Sequence, residues 1–268
     1  GGGGAVDFLH VQGRSFWAPA NIGPYSQYGG FGGQLMMAGQ IGLDPATMML
    51  HRTVAAQAAT SLRSAAKVMS VAGAPPSASL ASICMLTSAA DIRLARAAYT
   101  SFAEHHGATA GAHRLQVVVV DQLPAGAAIE WHFVQARGGV AVEPSWGELW
   151  GDLPAAPTVT TAISDSGVGY CWAPFTSAQL TAFACSPDQV AALTGRGTSA
   201  EPTRPYLARL HCARSIDASG LAKVDKLVAT LRNAGAAVSV IPVAQLADGA
   251  VVHVGCHFCV DGPDGGGE

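Results

Sequence analysis

This chain contains APANIGPYSQ at residues 18–27 and MAGQIGLDP at residues 37–45, and these two stretches decide its fold. Gly23 and Pro24 interrupt regular structure, so the first stretch is predicted to be a loop that presents Tyr25, Ser26 and Gln27. The second stretch is typical of a short apolar strand that ends in a turn rich in glycine and proline. Polar side chains beside a buried strand indicate either the wall of a binding cleft or a tight turn leading into a sheet.

The composition limits the class of protein. Of 268 residues, 49% are hydrophobic and 12% are charged, and the net charge is −3. Charge is scarce for a protein surface, so we expect large buried interfaces and therefore a homo-oligomer or an internal pseudo-trimer. The basic residues are scattered, which argues against nucleic acid as a partner, and no apolar run reaches the roughly 18 residues that a membrane span needs. Six cysteines are too few for a disulfide scaffold, so a reducing, cytoplasmic location is predicted.

Hydrophobic periodicity in the first half of the chain predicts a sheet with two helices on one face. Apolar residues recur every three or four positions between Thr53 and Val71, and Gly73 follows this helix. Asp91 stands where the N-cap of a second helix belongs. In chain order the predicted elements are strand 34–41, helix 53–71, strand 80–87, helix 92–105, strand 115–120 and strand 128–135.

The second half of the chain echoes the first. The hexapeptide QLPAGA at 122–127 recurs as QLADGA at 245–250, an offset of 123 residues, and each copy lies between two apolar strands. Further predicted elements of this half are strand 180–185, a helix of at most 187–193, strand 206–212 and helix 221–234. We therefore predict a flexible linker at 1–16, a first domain at 17–138, a linker at 139–157 and a second, degenerate domain at 158–268.

The two opening stretches and the Leu123-Pro124 turn resemble the signature of the RidA/YjgF family of imine and enamine deaminases, in matching order over residues 17–136. The resemblance implies two tandem α+β domains of chorismate-mutase-like fold, each a mixed β-sheet with helices on one face. It also implies trimers with a ligand cleft at each subunit interface. The implied ligands are small carboxylates, and the implied reaction is hydrolysis of 2-iminobutanoate or 2-iminopropanoate.

The resemblance implies three catalytic residues. Tyr25 in GPYSQ and Glu130 on the closing strand match the family's positions, and Arg114 would grip the substrate carboxylate, a planar anion that suits a guanidinium. Counting back from Leu123 places Leu115, and not Arg114, at the family's arginine position. Arg114 therefore serves only if a β-bulge re-aims its side chain. Otherwise it is a solvated residue at the start of its strand.

The second copy is predicted to have no working site. Ala237 and Val238 stand at the arginine position of this copy, and His253 replaces the glutamate. Cys256 and Cys259 form a CxxC pair close to His253, but a zinc site needs a second pair at similar spacing, and residues three apart on a strand point to opposite faces. We therefore predict a core strand and no metal site.

The tandem arrangement also resembles, more narrowly, the C-terminal region of eukaryotic diphthine–ammonia ligases. In that family an ATP-pyrophosphatase domain precedes two RidA-like domains, and the enzyme amidates diphthine on elongation factor 2 with ATP and ammonium. This sequence has no SGGKDS-type phosphate loop, so we expect no cofactor on this chain and ATP only on an upstream domain. The leading hypothesis is such a C-terminal module of a C–N ligase. The alternatives are a free-standing imine or enamine deaminase and a non-catalytic binding or structural subunit.

Overall fold

The computed structural model describes residues 7–31, 33–107, 115–143, 159–193 and 203–260. The chain divides into two compact units, Gly1–Val140 with Ser164–Ser166, and Ala141–Ile163 with Gly167–Glu268. Both units contain β-sheet and α-helices, which is the predicted α+β class. Most of the predicted linker 139–157 lies outside the described residues. None of the helices in the described ranges is long and apolar enough to cross a membrane.

The first unit is built on a mixed sheet. Its strands are β1 (Asp7–Leu9), β2 (Tyr28–Phe31), β3 (Gln34–Met37), β4 (Gln40–Ile41), β5 (Ser79–Leu86), β6 (Leu115–Val119) and β7 (Ile129–Ala136). They lie in the order β1-β2-β3-β7-β5-β6, with β4 also on β7. The pairs among them are antiparallel except β5 with β6, which is parallel and so requires a crossover connection. Because β1 pairs with β2, residues 7–9 of the predicted flexible linker form an ordered strand.

Two helices cover one face of this sheet. They are α1 (Val54–Val71) and α2 (Ile92–His105). Thr53 caps α1, since its hydroxyl accepts a hydrogen bond of 3.2 Å from the backbone N–H of Ala56. Asp91 occupies the N-cap position of α2, as predicted, although its side chain makes no capping hydrogen bond. A 3₁₀ turn over Ala89–Asp91 precedes the helix, and Ser88 caps that turn instead.

The alternation of β7 separates a packing face from a polar face. Trp131 is fully buried and stacks on Tyr99 of α2 with ring centroids 6.0 Å apart. The Tyr99 hydroxyl lies 2.9 Å from the Ser82 hydroxyl of β5, so the helix and the sheet are also joined by a buried hydrogen bond. Glu130 and His132 flank Trp131, and because successive side chains on a strand alternate they project from the face away from the helices.

The second unit repeats the first with a shorter helical region. Its strands are β8 (Val140–Glu143), β9 (Thr160–Ser164), β10 (Val168–Phe175), β11 (Thr203–Ala213), β12 (Ala237–Val243), β13 (Gln245–Leu246) and β14 (Val252–Val260), and its helices are α3 (Ser177–Ala182), α4 (Pro187–Leu193) and α5 (Ala218–Asn233). The main sheet has the order β12-β11-β14-β10-β9-β8. As in the first unit, the pair spanned by a crossover helix, here β11 with β12 across α5, is parallel.

The repeated hexapeptide forms the same turn in both units. Ala125 and Gly126 have φ of 54° and 71°, and Asp248 and Gly249, 123 residues later, have φ of 59° and 71°. In each case a 3₁₀ turn leads directly into the long strand at the centre of the sheet. The predicted internal repeat is therefore present in the backbone geometry, including two non-glycine residues in the left-handed region.

One predicted element of the second unit is wrong. The apolar run 180–185 was expected to be a strand, but its first residues belong to helix α3. Thr176 and Gln179 form a capping box that starts this helix, and a short apolar run does not by itself distinguish a strand from a buried helix. The short helix predicted at 187–193 is confirmed as α4.

Candidate active site

The loop at residues 18–27 is fixed to the sheet by its last residue. Gln27 is 2% exposed. Its side-chain oxygen accepts a hydrogen bond of 2.8 Å from the backbone N–H of Val11, and its side-chain nitrogen donates one of 3.1 Å to the carbonyl of Pro19. The backbone carbonyl of Gln27 also accepts from the N–H of Ala38 at 2.9 Å. The polar end of the loop therefore holds the loop in place, whereas the side chain of Tyr25 is half-exposed.

Gly39 is the point at which the candidate site is assembled. Its Cα lies against the ends of two side chains of β7: a Cβ atom at this position would be 2.6 Å from Nε2 of His132 and 2.7 Å from the carboxyl carbon of Glu130. Both distances are well below van der Waals contact of about 3.5 Å. Glycine in the AGQIG stretch therefore makes the space that the two side chains occupy.

Glu130 and His132 form an ion-pair contact on the polar face of β7. Nε2 of His132 lies 2.8 Å from Oε1 of Glu130. The side chain of Glu130 is 10% exposed and that of His132 is 29% exposed, so the carboxylate is the inner partner and the imidazole reaches solvent. The residues paired with Glu130 on the neighbouring strands are Ile41 and Met85, both apolar.

Tyr25 faces the same region from the loop. Burial raises the pKa of Tyr25 above its usual value, a backbone hydrogen bond with Ile22 opposes this, and the negative charge of Glu130 raises the pKa further. The phenol therefore keeps its proton at neutral pH and acts as a hydrogen-bond donor. Residues of the loop 19–27 and of the segment 39–43 line a small cleft of about 20 Å³, and Tyr25 and Gly39 are both part of its wall.

The structure thus describes two of the three predicted catalytic residues, Tyr25 and Glu130, and Arg114 lies outside the described residues. Leu115, at the family's arginine position, is buried and pairs with Ser82, whose hydroxyl bonds to α2. It therefore belongs to the helix-covered face. Gln116, the next residue of β6, pairs with Ile83, which in turn pairs with His132, so Gln116 shares the polar face.

His132 is the functional candidate that the sequence reasoning missed. The signal that could have found it is the period of two along a strand, because residue 132 must share a face with Glu130 once the strand is recognised. The contact itself depends on Gly39, which comes from a different part of the sequence.

The second unit has a different set of groups at the matching positions. His253 stands at the position of Glu130, and its ring lies 5.6 Å from that of Trp172. Gly255 stands at the position of His132, and the hydroxyl of Tyr170 occupies the space a side chain there would need. His257 on the same face is 1% exposed, and burial, followed by the charge of Arg209, lowers its pKa to about 3. The matching positions hold no carboxylate.

The CxxC cysteines of the second unit belong to β14. Cys256 is fully buried in the core, and Cys259 is partly exposed. The two side chains are three residues apart on one strand, so they leave it on opposite faces. This is the arrangement of a core strand, as the sequence predicts.

Comparison with known proteins places the first unit in a family. Residues 17–136 match the family model for Endoribonuclease L-PSP. Over 120 residues the chain is 32% identical to the 2-iminobutanoate/2-iminopropanoate deaminase of Salmonella typhimurium, a match that covers 45% of this chain and 92% of that enzyme. The chain belongs to the RidA/YjgF family. The resemblance carried by the loop, the AGQIG strand and the Leu123-Pro124 turn is thereby confirmed.

Other relatives of this RidA-family chain are named diphthine–ammonia ligases. It is 37% identical over 133 residues to the diphthine–ammonia ligase of Schizosaccharomyces pombe, a match that covers 47% of this chain and 20% of that protein. The chain thus spans about a fifth of the length of this ligase. Among solved structures, the YjgF gene product of E. coli is 28% identical and matches with a TM-score of 0.44 over 49% of this chain and 98% of that one.

Proposed function

We propose that the first unit binds small carboxylates that carry an imine or enamine nitrogen and hydrolyses them to the keto acid and ammonia. The observation that carries this proposal is the buried carboxylate of Glu130, held against Gly39 and next to the cleft that Tyr25 lines. A carboxylate in a largely dry site, with a phenol donor facing it, is suited to general-base chemistry on water. The similarity to a named imine deaminase over nearly all of that enzyme supports the same reaction class.

The proposed chemistry needs one base and one donor from this chain. The imine carbon is attacked by water while Glu130 accepts a proton from that water, which forms the C–O bond. Glu130 returns that proton to the nitrogen, which gives a carbinolamine. The hydroxyl proton of the carbinolamine then moves to the nitrogen through Glu130 as the C–N bond breaks and the C=O bond forms, so the nitrogen leaves as ammonia. The sum is one imine plus one water giving one keto acid and one ammonia. The protonated Tyr25 phenol donates a hydrogen bond to the water or the nitrogen.

Arg114 is proposed to bind the substrate carboxylate. A guanidinium offers two parallel N–H donors to a planar anion. Gln116 shares the polar face with Glu130 and His132. Arg114 lies outside the described residues, so its proposed role rests on the resemblance to the family.

The proposal is tested with the purified chain and 2-aminoacrylate or its imine tautomer, by measuring ammonia release. We expect release faster than in buffer, a loss of about 10²- to 10⁴-fold for Glu130→Gln as expected when a general base is removed, and a strong loss for Arg114→Ala. Arg93→Ala is the matched control, because Arg93 is exposed on α2 on the other face of the sheet. Wild-type protein no faster than buffer would overturn the proposal and favour a binding or structural role.

We propose, as a second candidate function, that the chain is part of a longer protein. The similarity to diphthine–ammonia ligases favours a tandem RidA-type module of such a ligase, which would amidate diphthine on elongation factor 2 and hold ATP on a separate domain. The absence of a carboxylate at residue 253 suits a second unit that acts as a scaffold. A ligase-deleted yeast strain carrying the full reading frame tests this. Mass spectrometry of elongation factor 2 should find diphthamide, and diphthine alone would refute the candidate.

A further inference from the structure

We propose that His132 is a positioning residue for Glu130: its imidazole contacts the carboxylate and holds it in the orientation that general-base chemistry needs. This inference rests on the proposed hydrolytic function and identifies the group that orients its base. It concerns a residue that the sequence analysis did not select.

The first support is geometric. Residues 130 and 132 project from the same face of β7, and the two side chains meet at 2.8 Å between Nε2 and Oε1. Gly39 confines both of them, because a Cβ there would overlap the imidazole and the carboxylate together. The pair therefore has a defined place, unlike an exposed surface ion pair, whose long side chains must be ordered at an entropic cost.

The second support is the balance of charge and burial. An ionised carboxyl group that is 10% exposed needs a hydrogen-bonding or charged partner. The groups that face it from the neighbouring elements are the neutral phenol of Tyr25 on the loop, Ile41 on β4 and Met85 on β5. Among these described residues, His132 is thus the group whose side chain makes a hydrogen-bond contact with the carboxylate.

The third support comes from the second unit. The same turn and the same central strand form there although His253 and Gly255 occupy the two matching positions. The fold therefore does not require the carboxylate–imidazole pair. Because the pair is present in the unit whose loop lines the cleft, it points to a role in the site.

The proposal predicts a split between kcat and KM. His132→Gln replaces the rigid imidazole by a flexible amide, so the Glu130 carboxylate loses its fixed partner and kcat should fall by about 100-fold, as expected for a misplacement of about 1 Å. KM should stay nearly unchanged, because His132 is not proposed to contact the substrate. His132→Lys supplies an N–H donor to the same carboxylate and should recover part of kcat.

His105→Gln is the matched control, because this imidazole is exposed at the end of α2 and should leave kcat and KM unchanged. A wild-type kcat for His132→Gln would overturn the inference. A loss of kcat that is not recovered in part by His132→Lys would overturn it as well, because that result describes a structural role.

A second measurement does not depend on turnover. Chemical unfolding of wild type, Glu130→Gln, His132→Gln and the double variant at pH 7 forms a double-mutant cycle. A hydrogen bond to a charged group should change the unfolding equilibrium constant by roughly tenfold, so His132→Gln should cost that factor in the wild type and little in the Glu130→Gln background. Additive losses would refute the pair. If Glu130 and His132 are coupled in stability but the chain shows no turnover, the proposed hydrolysis is refuted and the contact between the two residues is not. Failure of the proposed function and failure of this inference are therefore distinguishable.

Discussion

Replacing Gly39 by alanine inserts one methyl group into the space that the Glu130 and His132 side chains occupy. The new Cβ would overlap Oε1 of Glu130 and lie 2.6 Å from His132 Nε2, so the imidazole must retreat by about 1 Å, and the carboxylate by more, to reach normal contact. Both are the ends of side chains that can rotate, so the stability cost should fall at the low end of overpacking, about 1 kcal/mol. Catalysis should suffer far more, because a 1 Å misplacement costs about 100-fold.

The assay compares ammonia release from 2-aminoacrylate with the midpoint of thermal unfolding for the same preparation. Gly29→Ala is the matched control, because a Cβ there would meet nothing within 4 Å and the residue lies on a neighbouring strand of the same unit. We expect Gly39→Ala to remain folded with kcat/KM reduced by about two orders of magnitude and Gly29→Ala to keep the wild-type rate. Full activity of Gly39→Ala would refute the argument that the cleft depends on the close approach at Gly39.

Two further predictions concern other parts of the chain. Gln27→Ala should lower the free energy of unfolding by about 1–3 kcal/mol, because it leaves the buried N–H of Val11 without its partner. The control is Ser101→Ala at an exposed position of α2, since the side chain of Gln189 caps α4 and that residue is unsuitable. Equal unfolding midpoints for Gln27→Ala and the wild type would contradict the prediction. Burial raises the pKa of the thiols of Cys84 and Cys256, so both stay protonated and unreactive at pH 8. A thiol reagent should label Cys259 of the folded protein first, and rapid labelling of all six cysteines before unfolding would contradict this.

Sequence patterns predicted well the elements that have a regular hydrophobic repeat or distinctive turn residues. The 3.6-residue repeat of α1 and the duplicated hexapeptide turn are local signals, and both the helix and the turn appear where they were predicted. Strand β1 was missed because three residues are too few to show alternation. The run at 180–185 was misassigned because the capping box just before it outweighs the apolar pattern.

The candidate site was only partly predictable for a physical reason. Tyr25 and Glu130 follow from motif resemblance, whereas the pairing of Glu130 with His132 depends on a strand face and on close approach of Gly39 from another strand segment. Such a contact is set by tertiary packing, which spacing along the chain does not encode. Arg114 lies outside the described residues, so its assignment stays a prediction.

The measurement that tests the central claim most directly compares two variants at equivalent positions of the two units. Ammonia release from 2-aminoacrylate is measured for wild type, Glu130→Gln and His253→Gln, with unfolding midpoints recorded to establish that each protein is folded. The account predicts that Glu130→Gln loses about 100-fold or more and that His253→Gln keeps the wild-type rate. Equal rates for Glu130→Gln and wild type, or a wild-type rate no greater than that of buffer, would contradict it.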